Sequence, residues 1–176
     1  MLPLNIIIKP TNACNLRCRY CYHAKEGYDD VKLNLLDIEK FLRLCAQSYK
    51  NVTVLWHGGE PMLMGLNFYR NIIDIEERLK NELGCSFYNS MQTNGTLITE
   101  EWIDFFSQTG FKIGISFDAQ YNDFARQGTE AVKTAILKMQ ERNFNFGILT
   151  VINSHNLTHL IDIRSEEHTS ELQSRI

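Results

Sequence analysis

Cys14, Cys18 and Cys21 form a C-x3-C-x2-C pattern in a polar stretch directly after a short β-branched run. Three thiolates this close on irregular backbone suit one soft metal centre, either zinc or an iron–sulfur cluster. A closed zinc site takes four ligands. No fourth cysteine stands at short spacing, so His23, Cys45 or Cys85 would have to complete it. A [4Fe–4S] cube held by three cysteines keeps one iron open, and an open coordination position is what catalysis needs. Cys45 lies on an apolar helix stripe and Cys85 opens a strand, so both read as packing residues. His23 and His57 read as polar contacts.

The elements that position this loop follow from periodicity. Residues 5–10 are predicted as a strand. Residues 34–49 are predicted as a helix with Ile38, Phe41, Leu42, Cys45 and Tyr49 at helical spacing and Asn34 as N-cap. Val52 to Trp56 reads as a buried strand ended by Gly58-Gly59. The next helix carries Phe68, Ile72, Ile75 and Leu79. Ser86 to Thr93 is the third strand, and Thr99 caps a helix with Trp102, Ile103 and Phe106. Lys112 to Phe117 is the fourth strand, with Ile113, Ile115 and Phe117 on one face and Gly114, Ser116 and Asp118 on the other. A helix with Val132, Ala135, Ile136 and Met139 leads to a fifth strand over residues 144–152. Leu157, Leu160, Ile161 and Ile163 begin a further helix. Strands and helices that alternate in this way imply a parallel sheet with ligands at the carboxyl ends of its strands. Five such units do not close a barrel, so the arithmetic leaves an open sheet or an incomplete barrel.

With 176 residues the chain makes one domain, and 44% hydrophobic against 22% charged residues excludes disorder along the whole length. Eighteen Lys and Arg against 21 Asp and Glu give a net charge of −3. That leaves no basic surplus for nucleic acid. No apolar run is long enough to span a membrane, and Met1 to Pro10 has no basic leader, so a cytoplasmic protein is expected. Five cysteines, an odd number, point to metal or catalysis rather than to disulfides.

The segment Thr11-Asn-Ala-Cys14-Asn-Leu-Arg-Cys18-Arg-Tyr20-Cys21-Tyr resembles the cluster loop of the radical S-adenosylmethionine (radical SAM) enzymes, including the aromatic residue before the third cysteine. Three further motifs follow in order at strand ends: Gly58-Gly59-Glu60-Pro61, Gln92-Thr93-Asn94-Gly95-Thr96-Leu97 and Ser116-Phe117-Asp118. Together they resemble the subgroup that modifies peptides and proteins, including the anaerobic sulfatase-maturating enzymes. The fold implied is α/β, an incomplete parallel (β/α) barrel with about five βα units present.

The resemblance implies that Cys14, Cys18 and Cys21 bind three irons of a [4Fe–4S] cluster and that SAM chelates the fourth. Reductive cleavage of SAM would then give a 5′-deoxyadenosyl radical that abstracts hydrogen from a peptide or protein. It also implies that Gly58 and Gly59 admit the methionine amino group, and that Glu60 accepts from that ammonium or fixes the loop. Tyr20 would lie against the adenine. Ser116 would contact SAM, Arg126 would pair with its carboxylate, and Gln92 and Asn94 would point toward cofactor or substrate. No catalytic residue is assigned. The partners implied are a peptide or protein substrate and an electron donor such as a flavodoxin or ferredoxin. A radical SAM enzyme acting on a small molecule or a tRNA, and a non-catalytic zinc module, are the rival readings. The sequence departs from the pattern in Ser-Phe-Asp-Ala after the fourth strand, where relatives usually have Asp-Gly. It departs also in a short interval between Ser116 and Arg126, and in His57 where relatives often have Gln.

Residues 164–176 contain two apolar residues and resemble the conceptual translation of a sequencing adapter. The expected organisation is a radical SAM core over residues 1–163, truncated before its last strand, and a non-native tail over 164–176. This piece on its own is expected to be inactive.

Overall fold

The computed structural model describes residues 3–22 and 29–159. Five strands alternate with helices: β1 (Leu4–Ile8), α1 (Leu35–Ser48), β2 (Asn51–Trp56), α2 (Leu66–Leu83), β3 (Ser86–Thr93), α3 (Glu100–Thr109), β4 (Lys112–Ser116), the short α4 (Asn122–Ala125), α5 (Thr129–Glu141) and β5 (Phe146–Leu149). One sheet holds all five in the order β1-β2-β3-β4-β5, and every neighbouring pair is parallel. A doubly wound sheet would reverse and place a later strand beside β1. Here each strand adds beside its predecessor, as a barrel wall requires.

Helix ends follow local chemistry. Asn34 caps α1 through its side chain, which accepts from the Asp37 amide at 2.9 Å. Gly84 and Gly110 close α2 and α3 in the left-handed conformation. Thr99 stands at the N-cap position of α3 but makes no side-chain cap bond.

The two faces of the sheet differ. Val52, Val54, Trp56, Met91, Ile113 and Ile115 are buried with Leu42, Tyr69, Ile72, Leu79, Ile103, Phe106 and Met139 of the helices, and Cys45 and Cys85 belong to this core. Burial of this apolar area is the main stabilising term. Within it Trp56 donates to Asn89 at 2.8 Å, and Asn89 donates to the buried Glu76 carboxylate at 2.7 Å. On the opposite face Ile7, Tyr88 and Leu149 are exposed, while Gln92, Gly114 and Ser116 line its carboxyl end.

Two expected boundaries need correction. β5 covers Phe146–Leu149 rather than residues 144–152. The Phe144 amide caps α5 through the Met139 carbonyl, and Asn143 turns at a φ of 52°, so the strand cannot begin earlier. β4 ends at Ser116, and residues 119–121 form a 3₁₀ turn. Leu157–His159 is also a 3₁₀ turn. The rest of the expected helix beyond it, the tail over 164–176, and His23 lie outside the described residues.

Candidate functional site

The loop after β1 is built from its own backbone. The Thr11 hydroxyl donates to the Val31 carbonyl at 3.0 Å and accepts from the Ala13 amide at 3.1 Å. Leu16 is buried and anchors the loop, with its amide 3.5 Å from the Cys14 sulfur. Arg17 donates to the carbonyls of Cys14 at 2.6 Å and Leu16 at 2.9 Å, and the Cys21 amide donates to the Cys18 carbonyl at 3.1 Å. All three cysteines are half-buried and unpaired with one another.

Three strand ends clamp this loop. At the end of β2, Gly59 has φ +60°, and a Cβ there would sit 2.5 Å from the backbone oxygens of both Thr11 and Ala13. The Glu60 amide donates to the Ala13 carbonyl at 2.8 Å. Glycine at 59 therefore serves a close approach of two backbones. The Glu60 carboxylate is buried and accepts from the Met62 amide at 3.0 Å, the Thr93 hydroxyl at 2.8 Å and the Asn94 amide at 2.8 Å. It ties the end of β2 to the end of β3. Burial pushes its pKa up, and these three donors oppose the rise.

At the end of β3, Asn94 donates to Asn15 at 2.8 Å, Asn15 donates to the Thr96 hydroxyl at 2.8 Å, and that hydroxyl donates to Asn94 at 2.7 Å. This closed ring fixes the residue after Cys14. At the end of β4, the Tyr20 phenol donates to the Asp118 carboxylate, which also accepts from Arg126 Nε at 3.1 Å and from the Val151 amide at 3.0 Å. Arg126 lies over the Tyr20 ring, 5.1 Å from its centroid. The Arg19 amide donates to the Ala125 carbonyl at 2.8 Å. Burial, then the bond to Asp118, holds the Tyr20 phenol well above its ordinary pKa.

On the open face, Gln92 donates to the Ser116 hydroxyl at 2.8 Å. Its amide lies across Gly114, where a Cβ would meet Gln92 Oε1 at 2.3 Å. The absent side chain at 114 is what lets Gln92 reach Ser116.

The thiols of Cys14 and Cys18 are pushed up first by burial. Each also feels Cys21, and Cys18 feels Cys14. Arg17 opposes the rise at Cys14, and Arg126 opposes it at Cys18. Among the described residues no three His, Cys, Asp or Glu side chains are gathered tightly enough to hold a single metal ion. The donor set fits a polynuclear cluster, in which each thiolate takes a separate iron.

Ten of the eleven residues picked out from the sequence stand on this loop, at the strand ends that clamp it, or on the adjoining open face, and Arg126 stands at the end of α4. Three of them hold contacts within the chain that the expectation did not include. The missing Cβ of Gly59 faces the cysteine loop, Asn94 spends its side chain on Asn15 and Thr96, and Arg126 pairs with the Asp118 carboxylate. Asp118 also departs from the lumen-facing place that strand alternation gave it. It is completely buried beneath Tyr20 and Arg126. Asp118, Asn15, Thr93 and Thr96 were missed as site residues. All four stand inside the motifs quoted from the sequence, and that membership is the one local signal for them.

An arc of parallel strands with a thiol-bearing loop clamped to its carboxyl edge is the architecture of an incomplete (β/α) barrel. The chain belongs to the radical SAM superfamily, whose model matches residues 8–166. Its cofactors are accordingly SAM and a [4Fe–4S] cluster. It is 33% identical to the serine-type anaerobic sulfatase-maturating enzyme of Klebsiella aerogenes, over 90% of this chain and 42% of that protein. It is 34% identical to the cysteine-type anaerobic sulfatase-maturating enzyme of Clostridium novyi, over 91% and 46%. A solved structure of anSMEcpe with bound AdoMet and the Kp18Cys peptide superposes with a TM-score of 0.85 at 28% identity, covering 93% of this chain and 48% of that one. The chain thus spans less than half the length of these relatives.

Proposed function

We propose that the protein this chain represents modifies a peptide or protein by hydrogen abstraction, in the manner of the sulfatase-maturating enzymes. The observation that carries the reading is the convergence of all three strand-end motifs on one cysteine loop. Its likeness to both serine-type and cysteine-type sulfatase-maturating enzymes supports a peptide or protein substrate, as does the peptide held by anSMEcpe.

In this reading Cys14, Cys18 and Cys21 hold the cluster as thiolates. When bound, cluster and SAM supply an electron and a carbon radical that takes a substrate hydrogen. Gly58, Gly59 and Glu60 keep the loop at the sheet edge. Tyr20, Gln92, Ser116 and Arg126 form the polar surface against which SAM is oriented. The open face of the sheet, with Gln92 and Ser116 at its carboxyl end, receives the substrate. An electron donor such as a flavodoxin or ferredoxin and a cytoplasmic setting complete the proposal. The organisation proposed with it is residues 1–163 as a radical SAM core that stops short of its last strand, and residues 164–176 as a non-native tail.

Anaerobic reconstitution with iron and sulfide tests it. The expected result is a [4Fe–4S] absorbance and electron paramagnetic resonance (EPR) signature that disappears in Cys14→Ala, Cys18→Ala and Cys21→Ala. Dithionite and SAM should release 5′-deoxyadenosine from the whole protein. Peptides presenting a serine or a cysteine at the target position should identify the substrate class, and this chain alone should leave them unmodified. A cluster that survives Cys18→Ala would overturn the proposal.

A further inference from the structure

Asp118 and Arg126 are oppositely charged, joined at 3.1 Å, and almost withdrawn from solvent, with side chains 0% and 10% exposed. The chain is folded to bring them together. The Arg126 amide donates to the Asn122 carbonyl at 2.6 Å, and the Asn122 side chain accepts from the Asp118 amide at 3.2 Å. The pair is also fastened to the cysteine loop. Tyr20, between Cys18 and Cys21, donates its phenol to the carboxylate and lies beneath the guanidinium.

We propose that Asp118 and Arg126 are positioning residues that set the reduction potential of the cluster held by Cys14, Cys18 and Cys21. The inference rests on the reading that these cysteines bind a [4Fe–4S] cluster. Reduction adds a negative charge to such a cluster. A fixed cation beside it favours the reduced form, and a fixed anion disfavours it. Solvent screens a buried pair weakly, so each charge is felt at the nearby sulfurs. Both charges meet on Tyr20, two positions after Cys18 and one before Cys21: the carboxylate accepts its phenol and the guanidinium lies over its ring. Asp118 therefore has two effects: it holds the guanidinium in place, and its own charge moderates the cation.

The test is an EPR-monitored redox titration of the reconstituted protein. Arg126→Gln should make the midpoint potential more negative, and Asp118→Asn, which keeps an acceptor for Tyr20, should make it more positive. Arg126→Lys keeps the charge and should stay nearer the parent than Arg126→Gln does. A merely structural pair would move both variants the same way, or not at all, and that result would overturn the inference. If circular dichroism shows Asp118→Asn unfolded, the contrast between Arg126→Lys and Arg126→Gln decides alone, and equal potentials overturn it. A parent protein that takes up no cluster overturns the proposed function instead.

Discussion

The phenol of Tyr20 donates a hydrogen bond to the carboxylate of Asp118, which lies 98 positions further along the chain. One bond thus joins the loop after β1 to the loop after β4, across an arc in which those strands are not neighbours. The same carboxylate takes the Val151 amide just beyond β5. Three loops at the carboxyl edge therefore meet on one buried side chain. The described part of the thiol loop that carries the cysteines has one buried apolar side chain, Leu16. Its shape is imposed by strand ends distant in sequence, which explains why the motifs stand so far apart in the chain and so close in the fold.

Gly59→Ala should prevent cluster uptake, while Gly110→Ala should not. Both glycines have positive φ, +60° and +72°. A left-handed alanine alone costs about 1 kcal/mol. At Gly110 a Cβ meets nothing within 4 Å, whereas at Gly59 it meets two backbone oxygens at 2.5 Å. Backbone cannot rotate aside, so the loop must leave β2. Iron and sulfide content after reconstitution checks this, with equal loading of the two variants as the contrary outcome.

Glu60→Ala should be severely destabilising even without cofactor. It would strand the Met62 amide, the Thr93 hydroxyl and the Asn94 amide, each losing a partner worth about 1–3 kcal/mol when buried. The terms are not additive, and a loss of about 3 kcal/mol or more in urea unfolding is expected. Glu60→Gln should fall between, because its amide nitrogen must face one of these donors. A Glu60→Ala variant as stable as the parent would show that the carboxylate is not the tie between β2 and β3.

The sheet and helices were legible because burial imposes a period. β3 was read as Ser86 to Thr93, and α1 with its Asn34 cap within a residue of its bounds. The cysteines were legible because ligand spacing is local. Asp118 was not, because alternation along β4 placed it with Gly114 and Ser116. The strand stops at Ser116, and Ala119 turns at a φ of 51°, so the period no longer applies. The ring of Asn15, Asn94 and Thr96 was illegible for another reason. It forms between residues up to 81 positions apart, and no local pattern encodes such a pairing.

Asn94→Ala should loosen the cysteine loop while leaving the sheet intact. It removes the donor to Asn15 and the acceptor for Thr96. It exposes no core residue, so a cost of about 1–2 kcal/mol is expected. Hydrogen exchange should quicken in peptides spanning Ala13 to Cys21 and stay unchanged across β2 and β4. Uniform quickening would place the role of Asn94 in the fold as a whole rather than in the loop.

Glu76→Gln should stabilise the protein at pH 8 and matter little near pH 4.5. Glu76 lies within the core on α2. Its Oε2 accepts from Asn89, while Oε1 has no hydrogen-bond partner among the described residues. Burial pushes its pKa from 4.5 to about 8, with Asn89 opposing. The folded state therefore binds a proton that the unfolded state has already released, and stability falls as pH rises from about 4.5 to about 8. Each unit of difference corresponds to about 1.4 kcal/mol, so the whole window carries a few kcal/mol. Glutamine keeps the acceptor for Asn89 and cannot ionise. Its advantage over the parent in thermal unfolding should grow through this window and level off above it. An advantage independent of pH would mean that Glu76 is already ionised in the fold.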